Sequence, residues 1–198
     1  MSRPAAFLPP SGVRSRIGLF GGSFDPLHEG HVHVAKTALI RFQLDQVWWF
    51  PTPGNPLKDP PGDYARRIAA LQEMIAHNRA FRLSAVEHHM KLRYTRDLAS
   101  LLLRHAPRAR FAWIMGADSL VTFHHWKAWQ EIANLLPIGV IARPGFERAA
   151  LNSRFARLYS RYRISASAAP ILADSQTPAW IYLQAPLNPL SSTTIRNP

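Results

Sequence analysis

The residues Gly21-Gly22-Ser23-Phe24-Asp25-Pro26-Leu27-His28-Glu29-Gly30-His31 have types and a spacing that could do chemistry. Two imidazoles three residues apart follow a glycine pair, between the apolar run Ile17-Gly18-Leu19-Phe20 and a helical pattern that starts near His31. Gly21 and Gly22 allow a sharp turn and leave bare amides facing a ligand. A helix N-terminus near Gly30 and His31 would add free N–H groups and the positive end of its dipole, both attractive to phosphate. His28 and His31 could donate hydrogen bonds to phosphate oxygens as negative charge builds on them. The pattern therefore points to a reaction at a polyphosphate. Zinc is disfavoured, because no third ligand lies at a recognisable spacing. Phe24 reads as an aromatic plug. Asp25 and Pro26 read as a turn, with magnesium binding by Asp25 as the alternative. His33 is expected at the surface, facing away from His31.

At the other end, Leu190-Ser191-Ser192-Thr193-Thr194-Ile195-Arg196 places hydroxyls ahead of a basic residue. Ser191, Ser192 and Thr193 could receive phosphates together with helix N-terminal amides, with Arg196 supplying charge. Simple N-capping by Ser and Thr is the other reading, and both can hold together. Between the two ends, Gly116-Ala117-Asp118-Ser119-Leu120 follows a strand-like run. Its Asp118 could bond ribose hydroxyls or cap a helix. Trp126 and Trp129, at helical spacing, would on that ground alone belong to a core.

The first motif resembles the His-x-Gly-His signature of nucleotidyltransferases that share a fold with class I aminoacyl-tRNA synthetases, and the last resembles their Ser/Thr-rich segment. Within that superfamily the chain is similar to the bacterial nicotinate-nucleotide adenylyltransferases. Gly116–Leu120 matches their Gly-x-Asp-Ser-Leu element, Phe123–Trp126 their Phe-x-x-Trp, and Asn55-Pro56-Leu57-Lys58 a segment near the acceptor phosphate. Arg93-Tyr94-Thr95-Arg96-Asp97-Leu98 matches their Ser-Tyr-Thr element in part, with Arg93 in place of the serine.

The resemblance implies transfer of AMP from ATP to nicotinate mononucleotide, with magnesium carried by the ATP phosphates. It makes His28, His31 and Arg196 catalytic. It assigns ATP to Gly21, Gly22, Ser23, Phe24, Gly30, Gly116, Asp118, Ser191, Ser192 and Thr193. It assigns nicotinate mononucleotide to Lys58, Tyr94, Thr95, Trp126 and Lys127, with Trp126 stacked on the pyridine ring and backbone amides reading the carboxylate. Phosphopantetheine adenylyltransferase is the alternative within the same fold. Relatives continue with a helix after the Ser/Thr motif, which two further residues cannot complete, so the expectation there is a shortened C-terminal helix.

The elements that must position these residues alternate along the chain. Strand-like runs at Ile17–Phe20, Val47–Phe50, Phe81–Val86, Phe111–Met115, Ile138–Ile141 and Trp180–Leu183 are separated by helical patterns near 31–42, then one carrying Ile68, Leu71 and Ile75, and others near 95–105, 126–136 and 147–162. Asp63 is placed to cap the second of these helices. Such alternation predicts an α/β fold, a Rossmann-like doubly wound parallel sheet of the nucleotidyltransferase type, whose ligands bind beyond the carboxyl ends of its strands. Residues 1–16 read as a disordered leader, 17–198 as one domain, and 165–178 as a loose linker.

Composition narrows the class further. There are no cysteines, so disulfides and thiolate metal sites are excluded. No apolar stretch approaches a membrane span and no secretory h-region is present, which makes a cytoplasmic protein the expectation. The net charge of +12 permits a nucleic-acid surface. The basic residues are dispersed, however, as in Arg66-Arg67 and the Arg154, Arg157, Arg161, Arg163 series, so solvated helix faces are the simpler reading. The expected partners are therefore ATP and nicotinate mononucleotide, with no membrane and no nucleic acid.

Overall fold

The computed structural model describes residues 4–54 and 61–184. Lys58 and the whole 190–196 motif, including Ser191, Ser192, Thr193 and Arg196, lie outside them.

Among the described residues, six strands form one parallel sheet: β1 (Arg16–Gly22), β2 (Gln46–Pro51), β3 (Phe81–Leu83), β4 (Arg110–Gly116), β5 (Ile138–Ile141) and β6 (Trp180–Leu183). The spatial order is β3-β2-β1-β4-β5-β6. The order reverses between β1 and β4, so the crevice beyond their carboxyl ends is the topological switch point where open α/β sheets bind ligands. The doubly wound sheet is thus as the alternation predicted.

Side chains alternate across the sheet with period two and enter two separate cores. Ile17, Leu19, Trp48, Phe50, Phe111, Trp113 and Met115 face one side. Phe20, Val47, Trp49, Ala112 and Ile114 face the other. On that second side lies α1 (Glu29–Arg41), burying Val32, Val34, Ala35 and Ala38. It is joined there by α2 (Tyr64–Ile75), which is capped by the Asp63 carboxylate accepting from the Arg66 amide at 2.8 Å. The first side is covered by α3 (Val86–His89), α4 (Thr95–His105), α6 (Trp129–Leu135) and α8 (Arg154–Leu158). The remaining short helices are α5 (Ala117–Thr122) and α7 (Glu147–Leu151).

Four local expectations are corrected. The basic pattern over 147–162 is broken between α7 and α8, where the Ser153 hydroxyl accepts from the Ala156 amide and starts a new helix. The stretch read as a linker holds a 3-10 helix, Ala166–Asp174, whose Ala169, Leu172 and Ala173 are buried against the second core. Within the supposed leader, Pro4–Phe7 forms a 3-10 turn. The Phe7 ring stacks on His89 at 4.0 Å, and the Ser84 hydroxyl donates to the Phe7 carbonyl. His33 is half-buried, with a buried Nε2. No helix of the described residues is long and apolar enough to cross a membrane.

Candidate active site

Gly21 and Gly22 are the last two residues of β1 and do not form the expected turn. They are glycines because neighbours come close. A Cβ on Gly21 would lie 2.7 Å from the Trp113 ring, and one on Gly22 3.1 Å from Phe24. Phe24 is the plug that was expected. Buried to 2% exposure in the left-handed backbone region (φ 49°), it packs edge-on against His31 and Phe20, with Trp49 at 5.2 Å. It therefore shapes the histidine loop from inside instead of facing a ligand.

The loop is clamped by a residue that sequence reasoning placed in solvent. Arg67 on α2 is buried, and its guanidinium donates to the carbonyls of Gly62, Ser23 and Thr52 at 3.0, 2.7 and 3.0 Å. The Asp25 carboxylate accepts from the Gly62 amide at 2.8 Å, closing the same tie. Burial lowers the Arg67 pKa, and the Asp25 charge opposes that shift.

His28 is the N-cap of α1. Its Nδ1 accepts from the Gly30 amide at 3.0 Å, while His31 Nδ1 accepts from the His28 amide at 3.3 Å. With both Nδ1 atoms accepting, the ring proton of each neutral imidazole belongs on Nε2. The ring centroids are 3.9 Å apart. His28 Nε2 is buried and has no hydrogen-bond partner among the described residues. Burial, then the Arg143 charge, push the His28 pKa down to about 4, against an opposing contribution from Asp118. His28 is therefore a neutral N–H donor at neutral pH, held at the positive end of a 13-residue helix.

Asp118 and Arg143 complete this group. Asp118 stands in the first turn of α5, with its Oδ1 3.7 Å from Arg143 Nη1. Gly116, which ends β4, lies close to both groups: a Cβ there would press on the Asp118 carboxylate and on Arg143 Cδ. Arg143 was missed. It stands two residues past the end of β5, ahead of Pro144-Gly145, and the strand-end logic that singled out Asp118 could have found it.

Beside this group lies a cavity of about 330 Å³. Its wall unites Gly21, Gly22 and Ser23 with Tyr94, Thr95, Trp126 and Lys127, which are far apart along the chain. The cavity wall does not include His28, His31, Phe24, Gly30, Gly116 or Asp118, which belong to the neighbouring group around His28. Trp126 stands edge-on to Trp113 and Phe123, whereas Trp129 packs among Phe123, Phe155 and Tyr159 in the core. Both tryptophans are partly buried against the first core, and only Trp126 also lines the cavity. The helix starts only at Trp129, after Ala128 in the left-handed region, and this frees Trp126 to line the cavity. Tyr94 and Thr95 bring the N-terminus of α4, which has no side-chain cap bond, to the same wall. Arg93 and Glu87 also line the cavity and were not anticipated there.

The chain matches the family described as cytidylyltransferase-like over residues 19–198. It is 49% identical over 181 residues to the probable nicotinate-nucleotide adenylyltransferase of Ruegeria sp. (strain TM1040), covering 91% of this chain and 95% of the relative. It is 49% identical over 185 residues to the corresponding protein of Bradyrhizobium sp. (strain ORS 278), covering 92% and 96%. In fold it resembles the Plasmodium falciparum nicotinic acid mononucleotide adenylyltransferase complexed with NaAD. That likeness has a TM-score of 0.70 at 18% identity and covers 93% of this chain and 83% of that one.

Proposed function

The chain belongs to the cytidylyltransferase-like family and, within it, to the nicotinate-nucleotide adenylyltransferases, and from this we propose that it transfers AMP from ATP to nicotinate mononucleotide. The products are nicotinate adenine dinucleotide and pyrophosphate, and the step serves NAD biosynthesis. The phosphate of the acceptor attacks the α-phosphorus of ATP, and the bond from that phosphorus to the bridging oxygen breaks as pyrophosphate leaves. No covalent enzyme intermediate is needed, so positioning and fixed positive potential do the catalytic work.

The observation that carries this reading is the buried, unpartnered Nε2 of His28 at the N-terminus of α1. Its Nδ1 is spent on the Gly30 amide, so the ring is locked and only Nε2–H remains to meet an oxygen of the reacting phosphates. A neutral donor loses no proton when anionic phosphates approach and needs no reorganisation as charge develops. The Arg143 guanidinium adds full positive charge beside it, and Asp118 is positioned to accept from ribose hydroxyls.

The neighbouring cavity takes the acceptor. The Trp126 face offers stacking to the pyridine ring, and the uncapped N-terminus of α4 at Tyr94-Thr95 offers N–H groups to an anion. Magnesium fits this donor set as a cation brought in on the ATP phosphates. Among the described residues no three carboxylate or imidazole groups converge on one point, and magnesium bound to phosphates asks for few protein ligands. When bound it neutralises phosphate charge.

The test is pyrophosphate release by the purified chain with ATP and magnesium, offering nicotinate mononucleotide, nicotinamide mononucleotide and phosphopantetheine in separate reactions. Turnover with the first well above the others is expected. Preference for phosphopantetheine would overturn the acceptor assignment while leaving the chemistry, and release with none would overturn both.

A further inference from the structure

Among the described residues, Glu87 is the one carboxylate in the wall of the acceptor cavity. It stands on α3, is 6% exposed, and its Oε2 is buried without a hydrogen-bond partner among those residues. The elements packed on α3 offer it little. β2 (Gln46–Pro51) and the Pro4–Phe7 turn carry no ionisable side chain. From α2 the phenol of Tyr64 comes near enough for the two groups to feel each other, and its ring stacks on His88. The same wall carries Arg93, Tyr94, His125 and Lys127, and Glu87 makes no ion pair among the described residues. A carboxyl with a buried, unpaired oxygen holds its proton more tightly, and burial pushes Glu87 up to about 8.

We propose that the buried, unpartnered carboxyl of Glu87 donates its proton in a hydrogen bond to the carboxylate of the acceptor and so selects the acid over the corresponding amide. The inference rests on the acceptor reading above and adds a residue to it. The Trp126 amide is already bonded to the Phe123 carbonyl at 2.9 Å, so the Glu87 carboxyl adds a side-chain donor to the N–H groups that the α4 N-terminus brings to this wall. A protonated carboxyl supplies a donor at the place where an ionised one would repel the acid. Once ionised, Glu87 would accept from the N–H groups of an amide and turn a carboxylate away. The direction of preference is therefore tied to one proton.

The experiment measures kcat/KM for nicotinate and nicotinamide mononucleotide from pH 6.5 to 9, with the wild-type chain and with Glu87→Gln. The two acceptors share their phosphate and ribose, so the acid-to-amide ratio cancels every titration common to both. The nicotinate carboxylate stays ionised throughout. Because kcat/KM reports the free enzyme, the wild-type ratio is expected to fall about tenfold or more between pH 7 and pH 9. In Glu87→Gln, whose amide both donates and accepts, the ratio is expected to be flat with pH. A wild-type ratio that does not change with pH overturns the role of Glu87 and leaves the proposed function standing, and this arm needs no variant to fold. A ratio that falls equally in both proteins also overturns it. A wild-type chain inactive with either acceptor overturns the functional reading, and the inference with it.

Discussion

His28 combines two jobs that a substitution can separate. As N-cap it accepts from the Gly30 amide, and as a donor it offers Nε2–H from a buried position. Asparagine caps helices well but cannot place an N–H where Nε2 stands. His28→Asn is therefore expected to hold its thermal midpoint near that of the wild type while kcat falls about a hundredfold or more, with a much smaller change in KM for ATP. Thermal melts and steady-state kinetics on the same preparation check it. A loss confined to KM would mean that the imidazole serves ground-state binding and not the transition state.

At the level of elements, Arg67 shows how α2 holds a loop it never meets in sequence. Its guanidinium satisfies three carbonyls that no described backbone amide reaches in its place, joining the end of β1, the segment after β2 and the start of α2. Arg67→Met is expected to destabilise the fold by about 2–4 kcal/mol, because three carbonyls, two of them partly buried, lose a charged donor. Arg67→Lys is expected to recover only part of this, since an ammonium lacks the planar fork. Urea unfolding of both variants measures it. A cost near zero would mean that water takes over the three carbonyls.

For the whole molecule, two of the perturbed groups, Glu87 and His28, pull stability in opposite directions with pH. Glu87 has its pKa raised from 4.5 to about 8 on folding, so the folded state binds its proton more tightly. That contribution is full below 4.5 and is lost as pH rises through about 8. His28 has its pKa lowered from 6.5 to about 4. Its contribution is full above 6.5 and is lost as pH falls through about 4. Glu87→Gln is accordingly expected to gain in thermal midpoint over the wild type as pH climbs toward 8. His28→Asn is expected to resist acid better than the wild type between 6.5 and 4. Difference curves of midpoint against pH test both slopes, and parallel curves would contradict the burial of these groups.

Much of the architecture was legible along the chain. The β-runs at Ile138–Ile141 and Trp180–Leu183 and the helix Thr95–His105 appear with the bounds the pattern predicted, and Asp63 caps α2 as expected. The glycine-histidine motif announced its place at the carboxyl end of the first strand, although its two glycines belong to β1 itself. These features depend on hydrophobic periodicity and on capping bonds that reach three or four residues, so the local sequence contains what decides them. Other features were decided only by the tertiary structure. Arg67 looked like its exposed neighbour Arg66, yet its partners lie 15 and 44 residues away at Thr52 and Ser23. Trp126 and Trp129 looked alike, and only the late start of α6 left Trp126 lining the cavity while Trp129 packs among aromatic rings. Glu87 gave no sign of its state, because whether a carboxyl keeps its proton depends on how much water and charge the rest of the fold leaves around it.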